Sequence, residues 1–154
     1  MRGPGQRGEA LSDQRVTICR VCRNALDFHL SIDGVEWLHT YGDVLDGVAD
    51  HEPEPERAPE DWRGKCDFCS DTPEFTVPAR TFEMIAGHHS DGDWAACAPC
   101  AFLIERDRWG ELLRRAAAGH EKRHGGPMGE AEQAMLKRLY RMLRKNITGS
   151  VRPL

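Results

Sequence analysis

A chain of 154 residues leaves room for one domain, or for two small ones stapled by something stronger than apolar packing. Apolar residues make up 40% and charged residues 30%, which allows a modest core under a well-solvated surface. No run of about eighteen apolar residues exists, so a membrane-spanning helix is excluded. The net charge of -4 is unevenly divided. Met1 to Phe102 carries nine Lys/Arg against nineteen Asp/Glu, a balance of -10, whereas Leu103 to Leu154 carries twelve against six, a balance of +6. An acidic body with a basic tail either meets an anionic partner through the tail or satisfies itself internally.

Residues 1–15 hold Gly3, Gly5 and Gly8 among scattered charges and no apolar stretch, and read as a flexible leader rather than a secretory signal. All six cysteines that follow fall in Cys-x-x-Cys pairs, which suits metal binding in a reducing cytoplasm better than a secreted disulfide framework. The first pair, Cys19 and Cys22, precedes two alternating runs: Leu26, Phe28, Leu30, Ile32, then Val35, Trp37, His39, Tyr41. Asp33-Gly34 between them predicts a hairpin. Pairing Ile32 with Val35 sets Leu30 against Trp37 and Phe28 against His39. His39 then sits on the apolar face near the open end, beside the Cys pair, as the best-placed third metal ligand. His51 is the candidate fourth, although the spacing Cys-x2-Cys-x16-His-x11-His lies outside the common short-helix zinc finger. A packed core histidine and a solvated loop histidine are the plainer alternatives.

From Asp43 to Asp61 the chain carries eight acids and one Arg, with Pro53, Pro55 and Pro59. The Pro-Glu-Pro-Glu rhythm resists helix and sheet and predicts an acidic linker over 53–61. The central stretch holds the strongest signal: Cys66-x2-Cys69, then Cys97-x2-Cys100. Each pair turns two sulfurs the same way, so four thiolates can converge on one tetrahedral ion, zinc by preference. Three short strands are expected between the pairs, around Phe75–Val77, Thr81–Ala86 and Asp93–Ala96. His88 and His89 fall in the turn before the last strand and read as exposed loop residues, since four thiolates already close the shell.

Beyond Cys100 the chain turns helical, with Phe102, Trp109, Leu113 and Ala116 sharing a face and Gly110 a candidate break. Gly119 to Gly126 reads as a linker whose glycines argue against a helix through His120 and His124. Pro127 then opens the last helix, with Glu130 and Glu132 near its positive end. Met128, Met135, Leu139, Met142, Leu143 and Ile147 form its packing stripe. Lys137, Arg138, Arg141, Arg144 and Lys145 form a basic cluster, which suits the helix dipole as well as it suits a nucleic-acid backbone.

Cys66-Asp67-Phe68-Cys69, Val77-Pro78-Ala79-Arg80, Gly92-Asp93-Trp94-Ala95-Ala96-Cys97-x2-Cys100 and the ending Thr148-Gly149-x-x-Arg152-Pro153 resemble a group of small zinc-ribbon proteins of high-GC Gram-positive bacteria and their phages. The resemblance spans Cys66 to Leu154 and implies a cytoplasmic zinc-binding protein without an established activity.

These readings together predict a small, metal-stabilised α+β protein. Its parts are a zinc-bound hairpin unit over 16–52, the linker, a four-Cys zinc ribbon over 62–101 and a helical region over 102–148. Two zinc ions per chain are expected. The leading functional expectation is a non-catalytic adaptor or regulator that binds nucleic acid or a protein partner, with no membrane and no small-molecule substrate evident. A four-thiolate zinc has no open position to activate water, and no phosphate loop, nucleophile elbow or His-Glu-x-x-His motif is present. The competing expectation is a thiol-redox or zinc-dependent enzyme using Cys19 and Cys22, with Arg20 and Arg23 nearby to favour thiolate.

Overall fold

The computed structural model describes residues 16–45 and 47–154; the expected leader lies outside the described residues. Thirteen elements follow in chain order: β1 (Thr17–Cys19), β2 (Leu26–Ser31), β3 (Gly34–His39), α1 (Tyr41–Leu45), β4 (Pro55–Arg57), β5 (Phe75–Val77), β6 (Phe82–Ile85), β7 (His88–Ser90), β8 (Trp94–Ala96), α2 (Ala98–Glu105), α3 (Trp109–His124), α4 (Glu130–Asn146) and β9 (Arg152–Pro153). The fold is a small α+β arrangement of antiparallel sheets with four helices among the described residues. No described helix is long and apolar enough to cross a membrane.

The predicted hairpin forms, but one residue earlier. Ser31 pairs with Gly34, Leu30 with Val35, Phe28 with Trp37 and Leu26 with His39. Gly34 adopts φ 121, a conformation that side chains resist, and the Ser31 hydroxyl accepts a hydrogen bond from the Asp33 N–H at 3.3 Å. The turn is therefore Ile32-Asp33 rather than Asp33-Gly34, and Ile32 is fully exposed. Because both ends move together, the faces are unchanged and His39 keeps its place on the inner face.

Two sheets run across the proposed unit boundaries. β7 pairs with β2, so His88 and His89 stand in the central strands of a four-stranded sheet ordered β3-β2-β7-β6. This corrects their reading as exposed loop residues: both are half-buried, His89 stacks on Phe28 at 5.0 Å and His88 meets Asp27 at 3.3 Å. Within the acidic stretch, Pro55–Arg57 is not a bare linker; it pairs with β1, Cys19 opposite Pro55. Ion pairs from Arg20 to Glu54 and from Arg23 to Glu56 strap that strand to the first Cys pair. The third sheet, β8-β5-β9, is closed by the tail strand near the C-terminus.

The main core gathers Cys66, Cys69, Cys97 and Cys100 with Phe68, Val77, Phe82, Leu112, Tyr140 and Leu143. α2 and α3 are separated at Asp107, whose φ of 57 breaks the helix, while Gly110 lies inside α3. α3 also continues through Gly119 and both histidines, correcting the expected linker, and ends at Gly125 in the left-handed conformation. On α4 the buried positions are Tyr140 and Leu143, and Met135 is exposed rather than packed.

Candidate metal centres

The first two Cys pairs are held by the same turn. The Cys19 N–H donates to Asn24 O at 2.9 Å and the Arg23 N–H to Cys19 O at 2.8 Å. The Cys66 N–H donates to Asp71 O at 2.8 Å and the Ser70 N–H to Cys66 O at 2.9 Å. In both turns the residue after the second cysteine takes a left-handed φ, 65 for Arg23 and 68 for Ser70. That twist aims both sulfurs of a pair to one side. The third pair is built differently from the expected second knuckle. Cys97 is the N-cap of α2 and Cys100 lies in its first turn, with Pro99 at a position that needs no N–H. Both sulfurs thus lie at the N-terminal end of α2.

Cys66, Cys69, Cys97 and Cys100 bring their sulfurs within 4.8 Å of one another, all buried. A tetrahedral ion with metal–sulfur bonds near 2.3 Å needs sulfurs about 3.8 Å apart, and Cys69 Sγ lies 3.5 Å from Cys97 Sγ. Hydrogen bonds from the Cys100 and Cys66 sulfurs pull the Cys69 thiol far down, against burial, while the same contacts hold Cys100 up. One thiolate can be stabilised by neighbouring thiols; four need a metal.

The second cluster is Cys19, Cys22 and His51. His51 Nε2 lies 3.3 Å from Cys19 Sγ, and its Nδ1 lies 2.8 Å from Asp50 Oδ1. The carboxylate thus fixes the proton on Nδ1 and turns the Nε2 lone pair toward the sulfurs, as metal-binding histidines are commonly held. His39, predicted as third ligand, is buried beside the cluster: Nδ1 is 4.0 Å from Cys22 Sγ, and Nε2 is 3.2 Å from His51 O. Its ring meets His51 edge-on at 4.7 Å. Burial opposes ionisation of Cys19, but backbone hydrogen bonds at Glu54, Cys22 and Val21 and the His51 ring outweigh it and bring the thiol down to about 6.

These two are the metal-competent groups of three or more ligands among the described residues. His120 and His124 do share a helix face, rings 4.4 Å apart, but belong to neither group. The five basic residues predicted as a partner surface are all exposed on α4, and Arg144 pairs with Asp107.

Sequence reasoning missed three contributors. Asp50 directly precedes His51 and was legible as its orienting carboxylate. Arg115 places Nη2 3.9 Å from Cys69 Sγ and 3.8 Å from Cys97 Sγ. Arg80 donates to Lys145 O at 3.3 Å and so joins the basic end of α4. Neither arginine announces itself, because each reaches its partner only through tertiary packing. Set against family models, curated proteins and solved structures, the chain matches none of them.

Proposed function

We propose that this chain is a non-catalytic adaptor or regulatory module, stapled by two zinc ions, that binds nucleic acid through α4. The carrying observation is the stripe Lys137, Arg138, Arg141, Arg144 and Lys145, exposed along a helix whose other face, through Tyr140 and Leu143, is anchored in the four-cysteine core. Spacings of four and seven residues place these cations on one side over about 12 Å of helix. Arg80 extends the stripe at its C-terminal end. A basic stripe on a rigid mount suits contact with phosphates at fixed intervals, and phosphate contacts position without reading sequence.

In this reading zinc at Cys66, Cys69, Cys97 and Cys100 is structural. The second zinc takes Cys19 and Cys22, His51 through Nε2, and His39 through Nδ1. The His39 Nε2–H then donates to His51 O, so both rings have their ligand nitrogen selected by a hydrogen bond on the other side. Closed four-ligand shells leave no position for substrate.

The test is a gel-shift or polarisation assay of zinc-loaded protein with generic duplex DNA and RNA across a salt series. Reversal of Lys137, Arg141 and Lys145 to Glu should weaken binding steeply at low salt and flatten the residual salt slope by about three phosphate contacts. No binding of either nucleic acid at about 150 mM salt would leave a protein partner as the surviving version.

One observation favours the enzymatic alternative: Cys19, His51 and Asp50 form a thiol–imidazole–carboxylate chain. Cys19 is fully buried, however, which counts against a thiol presented to substrate. Zinc counting separates the two readings: two zinc ions per chain support the closed site, whereas one zinc with two rapidly alkylated thiols supports reactive cysteines.

A further inference from the structure

Between the first hairpin, the Trp62–Phe68 segment and the faces of α3 and α4 lies a cleft of about 460 Å³. That is within the range of small-molecule sites, roughly 300–1,000 Å³. Phe68, Trp62, Trp94, Met84 and Leu139 give it apolar and aromatic walls. Asp27, Asp43, Asp67, Asp91 and Asp93 also line it.

Cations that line this cleft already have partners. Lys65 pairs with Asp43 at 2.8 Å, Arg152 with Asp93 at 3.2 Å, and Arg63 and Arg123 donate to backbone carbonyls. Among the described residues, the other three carboxylates make lighter contacts: Asp67 accepts from the Ala95 N–H, Asp91 from the Thr81 hydroxyl, and the nearly buried Asp27 meets His88. Burial raises the Asp27 pKa, and the charges of Asp91 and Asp43 add to the rise against the opposing pull of His88.

A second observation points to a missing donor. Tyr140 lines the same cleft, is 3% exposed, and its hydroxyl has no hydrogen-bond partner among the described residues. A buried hydroxyl without a partner costs about 1–3 kcal/mol, so native sites seldom leave one idle. The cleft carboxylates do not gather closely enough to form a metal-competent group. A ligand that meets them must therefore spread its donors, and aromatic walls suit a cation with an apolar body.

We propose that this cleft binds a small organic cation, a primary amine or guanidinium on an aromatic or aliphatic body. Its N–H groups donate to Asp27 and Asp67 and to the Tyr140 hydroxyl oxygen, and its body lies against Trp94 and Phe68. This site is independent of the α4 surface and of any nucleic acid bound there.

The experiment titrates zinc-loaded full chain with phenethylamine and agmatine, following the indole N–H signals of the four tryptophans by NMR. 3-Phenylpropionate and magnesium chloride serve as controls. The expected result is a saturable shift of Trp62 and Trp94 with at least one amine, and none with phenylpropionate. Asp27→Asn and Tyr140→Phe should each weaken the binding about fivefold or more, the loss of roughly one hydrogen bond. Tyr140→Phe removes only a hydroxyl and should stay folded even if Asp27→Asn does not. The proposal is overturned if neither amine gives a saturable shift up to about 20 mM. It is equally overturned if phenylpropionate binds as well, if magnesium displaces the amine, or if folded Tyr140→Phe binds with unchanged affinity.

Discussion

One guanidinium nitrogen of Arg115 lies 3.8 Å from the sulfur of Cys97. The same nitrogen reaches Cys69 Sγ at 3.9 Å and Asp71 Oδ2 at 3.3 Å. Burial opposes its charge, but contacts with the Cys100 and Cys97 sulfurs raise its pKa further, so it stays cationic over the cluster. Four thiolates on a divalent ion leave an excess of two negative charges. N–H donation to sulfur withdraws part of that excess and makes each thiolate a poorer nucleophile and a slower leaving ligand. Arg115→Met should therefore speed zinc transfer to a chromogenic chelator by roughly 10–100-fold, in line with the loss of other outer partners. Arg115→Lys, which keeps the charge without the planar fork, should fall between. Equal transfer rates in all three proteins would reduce Arg115 to packing.

The two metal centres should fail differently. The four-cysteine cluster lies inside the main core with Phe68, Leu112 and Leu143, whereas Cys19, Cys22 and His51 lie outside that core, Cys19 within the two-stranded β1-β4 ribbon. Structural zinc contributes on the order of 10 kcal/mol, comparable to the whole stability of a domain this size. Cys97→Ser should abolish the cooperative thermal transition and the near-ultraviolet signal of Trp94 and Trp109. His51→Ala should lose one zinc by elemental analysis, loosen β1 and β4, and leave those tryptophan signals in place. Loss of both zinc ions from His51→Ala would show that the centres fold as one unit.

Tyr140 offers a simpler measurement. Its ring packs against Phe68 at 5.5 Å and Trp109 at 6.2 Å, while its hydroxyl stays buried without a partner among the described residues. Tyr140→Phe keeps the ring and removes the unsatisfied group, so the ligand-free protein should gain about 1 kcal/mol, read as a higher urea midpoint at unchanged slope. A loss of stability instead would mean that the hydroxyl is already satisfied in solution.

How much of this was legible in the sequence follows the range of the interactions. The Cys-x-x-Cys spacings, the hairpin and α4 are local patterns, and all three stand in the structure. The hairpin closes one residue earlier than the Asp33-Gly34 signal implies, with Ser31 paired to Gly34 and the Asp33 N–H bonded to the Ser31 hydroxyl. Pairing of β2 with β7 joins residues about sixty apart, and no periodicity in either strand encodes it. The same holds for β1 with β4, where Pro55 looked like a sheet breaker yet stands on a short outer strand that tolerates it. Arg115, Tyr140 and the cleft depend on how α3 and α4 lie over the Cys66–Cys69 turn, which is tertiary information alone.

The last prediction concerns pH and Asp27, a nearly buried carboxylate whose side-chain partner among the described residues is His88 at 3.3 Å. Burial holds its folded pKa above the ordinary 3.8, with Asp91 and Asp43 adding and His88 opposing. The folded state thus binds this proton more tightly than the unfolded state does. Its contribution to stability is fully present below the ordinary value and is lost as pH rises through the raised one, because the unfolded chain sheds the proton first. Asp27→Asn fixes the neutral form and can still accept from His88. Urea unfolding of the zinc-loaded proteins should therefore show the variant more stable than the native chain at neutral pH, with the gap narrowing as pH falls. Added phenethylamine should shrink the same gap from the other side, since an ammonium beside Asp27 stabilises its charged form only in the native protein. A variant less stable at every pH would mean that the charged bond to His88 outweighs burial, and Asp27 would then need no ligand.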